Sequence, residues 1–330
     1  MKLLYFFAVC LLLTGCSLSK DNETQINSTS IKDDYYPISI TNYASDRKKI
    51  QEIFKEKPKR VIAHHQNTIE AMMAINEEKR IVAGAFAGTD TKIFSKVYQD
   101  KVNSIPVIND FSFDLETVLM YHPDLIIGWQ STFSPRMLRT TDFWHKRGVN
   151  TYILANSNAV LPIGTVEDEI TFLDDMGKIF NRQKESNELI KEITDELAYI
   201  REQTHGRVAQ KVLVIELMGN TIVTYDKNRL SGDMLKKLGA QLIECGRTID
   251  AETLITLNPD VIFVVSARGM MDKNDAIKRI TGNEVFRSIS AVKNKRVYGI
   301  PLIYMYASGT RTIDGIKTFR DGLYPEMKGR

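Results

Sequence analysis

The chain has 330 residues, with 44 basic against 41 acidic side chains, a net charge of +3 and 43% hydrophobic residues. Charges of both signs are interspersed, and no basic stripe with interleaved aromatics is present, which argues against nucleic acid as a partner. The length is enough for two lobes with cores of their own.

Lys2 precedes an apolar run, Leu3 to Leu13, that is too short to cross a bilayer as a mature helix. A charged start and an apolar core are the marks of a signal peptide, expected over residues 1–15. The run ends in Leu13-Thr14-Gly15-Cys16, which resembles the lipobox of bacterial lipoproteins, with Cys16 as the residue to be lipidated. An ordinary secretory leader with an incidental Cys16 is the plainer alternative. Residues 16–34 are polar and non-periodic, a composition that cannot bury a core and reads as a flexible tether. With Cys10 in the leader and Cys16 at its end, Cys245 has no internal partner, so no disulfide is expected in the exported fold. No later stretch is long and apolar enough for a transmembrane helix.

Residues 35–164 read as an α/β lobe. Lys59 to Ala63 has the pattern of a strand and runs into His64-His65-Gln66-Asn67. A helix follows from Thr68 to about Ile75, with Ile69, Met72 and Met73 on its apolar stripe. Further strands are expected at Arg80–Ala83, Ile105–Ile108, Leu125–Ile127 and Thr151–Leu154. Residues 165–206 carry no strand pattern. Thr165 with Asp168 forms a capping-box sequence; Ile170, Leu173 and Met176 and then Leu189, Ile193, Leu197 and Ile200 recur at helical spacing, with a weak break at Asn181-Arg182. Residues 207–330 return to α/β: a strand at Val212–Ile215, a helix at Asp233–Leu238, a strand at Arg296–Gly299 and a last helix near Ile313–Leu323.

One segment occurs twice. ETVLMYHPDLII at 116–127 and ETLITLNPDVIF at 252–263 share Glu, Thr, Pro, Asp and Ile at a constant offset. In each, a short amphipathic helix ends before a proline and feeds an apolar run of strand length, half of a βαβ unit. The fold class expected is therefore α/β: two similar lobes with central parallel sheets, joined by a long spine helix, with a ligand cleft between them.

In such sheets ligands lie beyond the carboxyl ends of strands. The residues found there are His64, His65 and Gln66; Phe86; Phe111; Trp129 and Gln130; Met218; Arg268; and Tyr304-Met305-Tyr306. Aromatic walls with an arginine suit a bulky anionic chelate, because guanidinium stays charged and presents a planar fork to oxygen. His64 and His65 raise the question of a metal ligand. Adjacent side chains on an extended segment point opposite ways, so at most one faces the cleft, and no direct protein ligand to a metal is the expectation. Sequence signatures of common enzymes are absent: no nucleophile elbow, phosphate loop, dinucleotide turn or His-Glu-x-x-His helix occurs.

KPKRVIAHHQNTIEAMMAI, DLETVLMYHPDLII with its repeat, TVEDEITFLDDMGKIF and NEVFRSISAVKNKRVYGIP resemble, in this order, the bacterial iron-complex substrate-binding proteins. These are lipoprotein receptors of ABC importers for ferric siderophores, haem and cobalamin. The resemblance implies a monomeric receptor on the outer face of the cell membrane, held by its lipid and serving ABC permease subunits. It implies no catalysis and no cofactor, with iron present only as part of the cargo. Arg268 resembles an arginine that contacts iron-bound catecholates, and Met305-Tyr306-Ala307-Ser308-Gly309 a Trp-Tyr-x-x-Gly loop whose tyrosine reaches the metal. Here Met305 replaces the tryptophan. Cargo contacts are thus expected at Arg268, Tyr304, Tyr306, Trp129, His64, His65, Gln66, Phe86 and Met218. The resemblance also implies one acidic docking residue per lobe, matched by position to Glu70 and Asp233. Haem or cobalamin cargo, a zinc or manganese receptor, and a lipid-anchored sensor or adhesin remain as alternatives.

Overall fold

The computed structural model describes residues 34–86, 91–266 and 273–329. Cys16, the leader and Arg268 lie outside the described residues.

The N-terminal lobe opens with an antiparallel hairpin, β1 (Ile38–Tyr43) and β2 (Lys49–Phe54), for which the sequence reading had no element. The lobe's main elements follow: β3 (Val61–His64), α1 (Gln66–Ala74), β4 (Ile81–Phe86), α2 (Gln99–Val102), β5 (Ile108–Asp110), α3 (Leu115–Met120), β6 (Leu125–Gly128), α4 (Thr141–His145) and β7 (Asn150–Ile153). Its five-stranded sheet has the order β5-β4-β3-β6-β7 and is parallel throughout. The C-terminal lobe contains β8 (Lys211–Met218), β9 (Thr221–Thr224), α7 (Leu230–Lys237), β10 (Gln241–Leu242), β11 (Thr248–Ile249), α8 (Ala251–Leu257), β12 (Val261–Ser266), α9 (Lys273–Thr281), α10 (Ser290–Lys293), β13 (Val297–Pro301) and α11 (Thr312–Leu323). Its sheet is mixed. β8, β12 and β13 run parallel, while β9 pairs antiparallel with β8 and β11 with β9.

The helical spine consists of α5 (Val166–Ile179) and α6 (Gln183–Thr204), separated at the Asn181-Arg182 break that the sequence marks. Thr165 and Asp168 cap α5 reciprocally, as the sequence pattern predicts. Asn181, at φ 50°, breaks the path, and Arg182 N donates to Gly177 O at 2.7 Å. α6 then packs toward α11, where Arg320 pairs with Glu196 and Lys317 with Glu192.

Strand residues alternate between two cores. Val61, Leu125, Ile127, Val212, Val261 and Phe263 join a core that runs continuously through both lobes and the spine. Ile62 and Ile126 face a separate N-lobe core around Trp144, and Leu213 and Ile262 face one in the C-lobe. Burial on both faces is why these strands read as unbroken apolar runs.

The internal repeat has a common physical basis. Asp114 and Asp250 each accept from the backbone N–H three residues on, at Thr117 and Thr253, both 2.8 Å, capping α3 and α8. Before the two prolines the chain turns left-handed, at His122 (φ 45°) and Asn258 (φ 42°). Asp124 then accepts from Lys59 N and Arg60 N at 2.7 and 2.9 Å, and Asp260 from Lys211 N at 2.8 Å. Each Pro-Asp pair thus pins the start of its lobe's central strand.

α5 and α6 pack tightly at Gly177, where a Cβ would stand 2.0 Å from the buried Ser186 hydroxyl. Gly177→Ala is expected to cost about 1–3 kcal/mol in denaturant unfolding, the usual penalty of overpacking. Unchanged stability would mean that Ser186 has room to turn away.

Candidate functional site

The residues after β3, β6 and β13 converge where the lobes meet. His65 stacks on Trp129, ring centroids 3.8 Å apart and planes at 16°. Tyr306 meets the same indole edge-on at 5.2 Å, from the other lobe. Its hydroxyl accepts from Asn158 N at 2.7 Å, so a C-lobe side chain closes against N-lobe backbone. Trp129 Nε1 is buried without a hydrogen-bond partner. His65 sits at φ 85°, ψ 148°, a region that glycine occupies almost alone. The cost of that backbone is tolerated at the point where its ring joins the cleft aromatics.

The two histidines do not part as extended alternation would require: the positive φ of His65 leaves the two rings adjacent, with centroids 4.2 Å apart, and they differ in their partners instead. His64 is fully buried, with Nδ1 2.6 Å from Thr132 Oγ1 and Nε2 2.8 Å from Phe111 O. Both ring nitrogens are engaged, so His64 has no lone pair to offer a metal, and burial depresses its pKa to about 4. His65 is held neutral by burial and by its neighbour. Among the described residues no three His, Cys, Asp or Glu side chains come together as a metal site.

Several expected cargo contacts lie elsewhere. Phe86 is core, 1% exposed and edge-on to Phe94. Gln66 is part-buried and donates to Ile93 O and Glu70, turning into its own lobe. Met218 is exposed at the end of β8 where the β8–β9 hairpin begins. The two tyrosines separate: Tyr304 lies under the Arg311 guanidinium, 5.4 Å from its ring centroid, and only Tyr306 meets Trp129.

Neither expected docking acid stands free at the surface. Glu70 has no exposed surface; it accepts from Arg311 Nε at 2.7 Å and Ser95 N at 2.9 Å. Asp233 is 14% exposed and accepts from Val166 N at 2.9 Å at the start of α5, with Lys237 beside it. A carboxylate with no exposed surface, as at Glu70, cannot present itself to a partner. Among the exposed acids, Glu116 and Glu252 occupy matching places in the two lobes, in the first turns of α3 and α8. The internal repeat places one such glutamate in each lobe.

Close to the aromatic cluster, buried Glu169 accepts from Gly309 N at 2.6 Å and from Asn156 Nδ2 at 2.8 Å. Burial outweighs these bonds and raises its pKa to about 7.

Two lobes, strand ends facing a shared gap and an aromatic cluster made by both define a two-lobed ligand-binding protein. A sequence profile described as "Periplasmic binding protein" matches residues 61–304, and the chain belongs to that family. A periplasmic binding protein from Veillonella parvula has a crystal structure that matches at TM-score 0.83 and 34% identity, over 88% of this chain and 92% of that one. YvrC of Bacillus subtilis, an uncharacterized ABC transporter substrate-binding lipoprotein, is 23% identical over 328 residues, 96% of this chain and 94% of YvrC. The petrobactin-binding protein YclQ of the same organism is 23% identical over 279 residues, 81% of this chain and 83% of YclQ. The protein is accordingly an ABC transporter substrate-binding protein and not an enzyme.

The raised Glu169 pKa has a definite sign. A carboxyl whose folded pKa lies above its unfolded value stabilises the fold below about 4.5, and that contribution is lost as pH rises through about 7. Glu169→Gln should flatten the decline of unfolding free energy across this window, by on the order of a few kcal/mol. Parallel profiles for parent and variant would show that Glu169 does not titrate there.

Proposed function

We propose that this protein captures a ferric siderophore outside the cytoplasmic membrane and delivers it to an ABC permease. The observation that carries the reading is the cluster of His65, Trp129 and Tyr306, built by both lobes beyond the strand ends. Bulky iron chelates offer flat faces, and this cluster offers aromatic rings contributed by both lobes. The relative YclQ is named for binding petrobactin, which supports an iron-complex cargo. On this reading Arg268, directly after β12, supplies a cation for an anionic complex. Iron enters only with the cargo, and the chain works as a monomer. Haem or cobalamin is the second reading, since the same aromatic faces suit a macrocycle.

The test is a fluorescence titration with ferric siderophores, haem and cobalamin. Trp129 should be quenched, against a constant background from Trp144, which is buried and donates to Leu138 O. Arg268→Ala should weaken an anionic ferric complex by roughly one to two powers of ten, the worth of a charge-assisted contact. A parent that binds none of the ferric complexes would reject the siderophore reading, and binding of haem alone would select the second.

Delivery is assigned to the lipid anchor and the two exposed glutamates. Cys16 carries the lipid, with more than one acyl chain needed for stable attachment. Glu116 and Glu252 dock the permease, one from each lobe. In cells, Cys16→Ser should release the protein from the membrane fraction. Glu116→Ala with Glu252→Ala should leave cargo affinity intact while radio-iron uptake falls. Normal uptake by the double variant would rule out these docking residues.

A further inference from the structure

Phe111 lies just beyond β5, at the same carboxyl end of the N-lobe sheet as Trp129, yet the residue is 66% exposed. Its backbone is left-handed, with φ 60°, which for a bulky residue is a true outlier. Three hydrogen bonds impose that turn. Phe111 N donates to Phe86 O at 3.0 Å, Ser112 N donates to Asp110 O at 2.7 Å, and Phe111 O meets His64 Nε2 at 2.8 Å.

A carbonyl only accepts, so His64 Nε2 must carry the ring proton, and Nδ1 must accept from the Thr132 hydroxyl. Thr132 is itself fully buried and sits 3.5 Å from His65 Nε2. One neutral imidazole therefore stands between the two strained turns of this end, at His65 and at Phe111. His65 uses its turn to stack on Trp129; Phe111 uses its turn to hold a ring out in water. An exposed ring gains no packing that would offset a strained backbone, so the fold by itself has no use for it.

We propose that Phe111 contacts the cargo and that His64 is its positioning residue, the two presenting an aromatic face beyond β5 for a flat aryl group of the iron complex. Phe111 offers a ring without a polar handle. Its complement is a conjugated ring face, by stacking or edge contact, and not a bare ion or an aliphatic chain. The inference rests on the iron-complex reading above.

Phe111→Gly separates this role from a structural one. Glycine accepts a positive φ without strain, so the ligand-free variant should unfold at the same temperature as the parent or slightly higher. Its affinity for an aryl-bearing ferric complex should fall about three- to tenfold, with little change for an aliphatic hydroxamate complex. His64→Leu should cause a similar loss of affinity, and adding it to Phe111→Gly should lose little more. His64→Gln, which can still donate to Phe111 O, should retain most of the binding. Unchanged affinities in Phe111→Gly would overturn the proposal. So would lowered uptake with intact affinity, which would place Phe111 against the permease. A parent that binds no member of the panel sinks the iron-complex reading and this inference with it; a parent that binds while Phe111→Gly binds equally sinks the inference alone.

Discussion

The arrangement of this protein depends on a carboxylate that has no water. Glu70 is fully buried on α1, and the chain answers it with Arg311 from 241 residues away. Removing one member of such a pair typically costs about 3–5 kcal/mol, because the other is left charged and unsolvated. Arg311 also holds Asp314 at the start of α11, which fixes the segment between β13 and α11 against the first lobe. Asn67 binds Ala307 O from α1, and Glu169 binds Gly309 N from α5. Tyr306 lies immediately before these ties, so its approach to Trp129 is a consequence of them. Opening the lobes widely at this end would strip Glu70 of its cation. Motion on cargo binding is therefore confined to what the pair can survive, and small adjustments fit that limit better than a wide hinge swing.

The cleft aromatics are placed by backbone that costs energy to hold. His65 and Phe111 are non-glycine residues in positive-φ turns, and both turns flank the same buried imidazole. Because His64 titrates only near pH 4, its hydrogen-bond pattern persists across neutral pH. A protonated ring could no longer accept from Thr132. Neutrality here follows from burial and is what lets a single side chain act as acceptor on one side and donor on the other.

Much of the architecture was legible in the sequence because it is written in local patterns. Apolar strands buried on both faces, the Thr165–Asp168 box and the order of strands and helices all leave short-range marks. What escaped was non-local. Helical position puts Glu70 on α1 but says nothing of its exposure, which Arg311 decides. The β1–β2 hairpin was missed because it buries only alternate residues over six positions per strand, and half of each strand is polar. Alternation was the wrong guide to the histidine pair, because His65 lies just past β3 with φ 85°, which keeps its ring 4.2 Å from that of His64 while stacking it on Trp129. Tyr304 and Tyr306 are two residues apart and would share a face on a strand, but Tyr304 ends a 3-10 turn, Leu302–Tyr304, and Tyr306 follows it, so they meet different neighbours.

The repeated segment explains why the lobes are alike and where they are free to differ. In both copies an aspartate caps the helix, a left-handed residue precedes the proline, and a second aspartate fastens the start of the central strand. Val118 and Leu254, at matching positions, are fully buried and seat each helix. Every one of these ties acts at or before the first residue of the strand that follows. Toward the strand's far end the constraint fades and the copies diverge: β6 stops at Gly128 before Trp129, whereas β12 continues through Val265, the position matching Trp129, to Ser266. The repeat thus holds the sheets in register while leaving their far ends open to change, so that cargo chemistry can vary without disturbing what pins the strands.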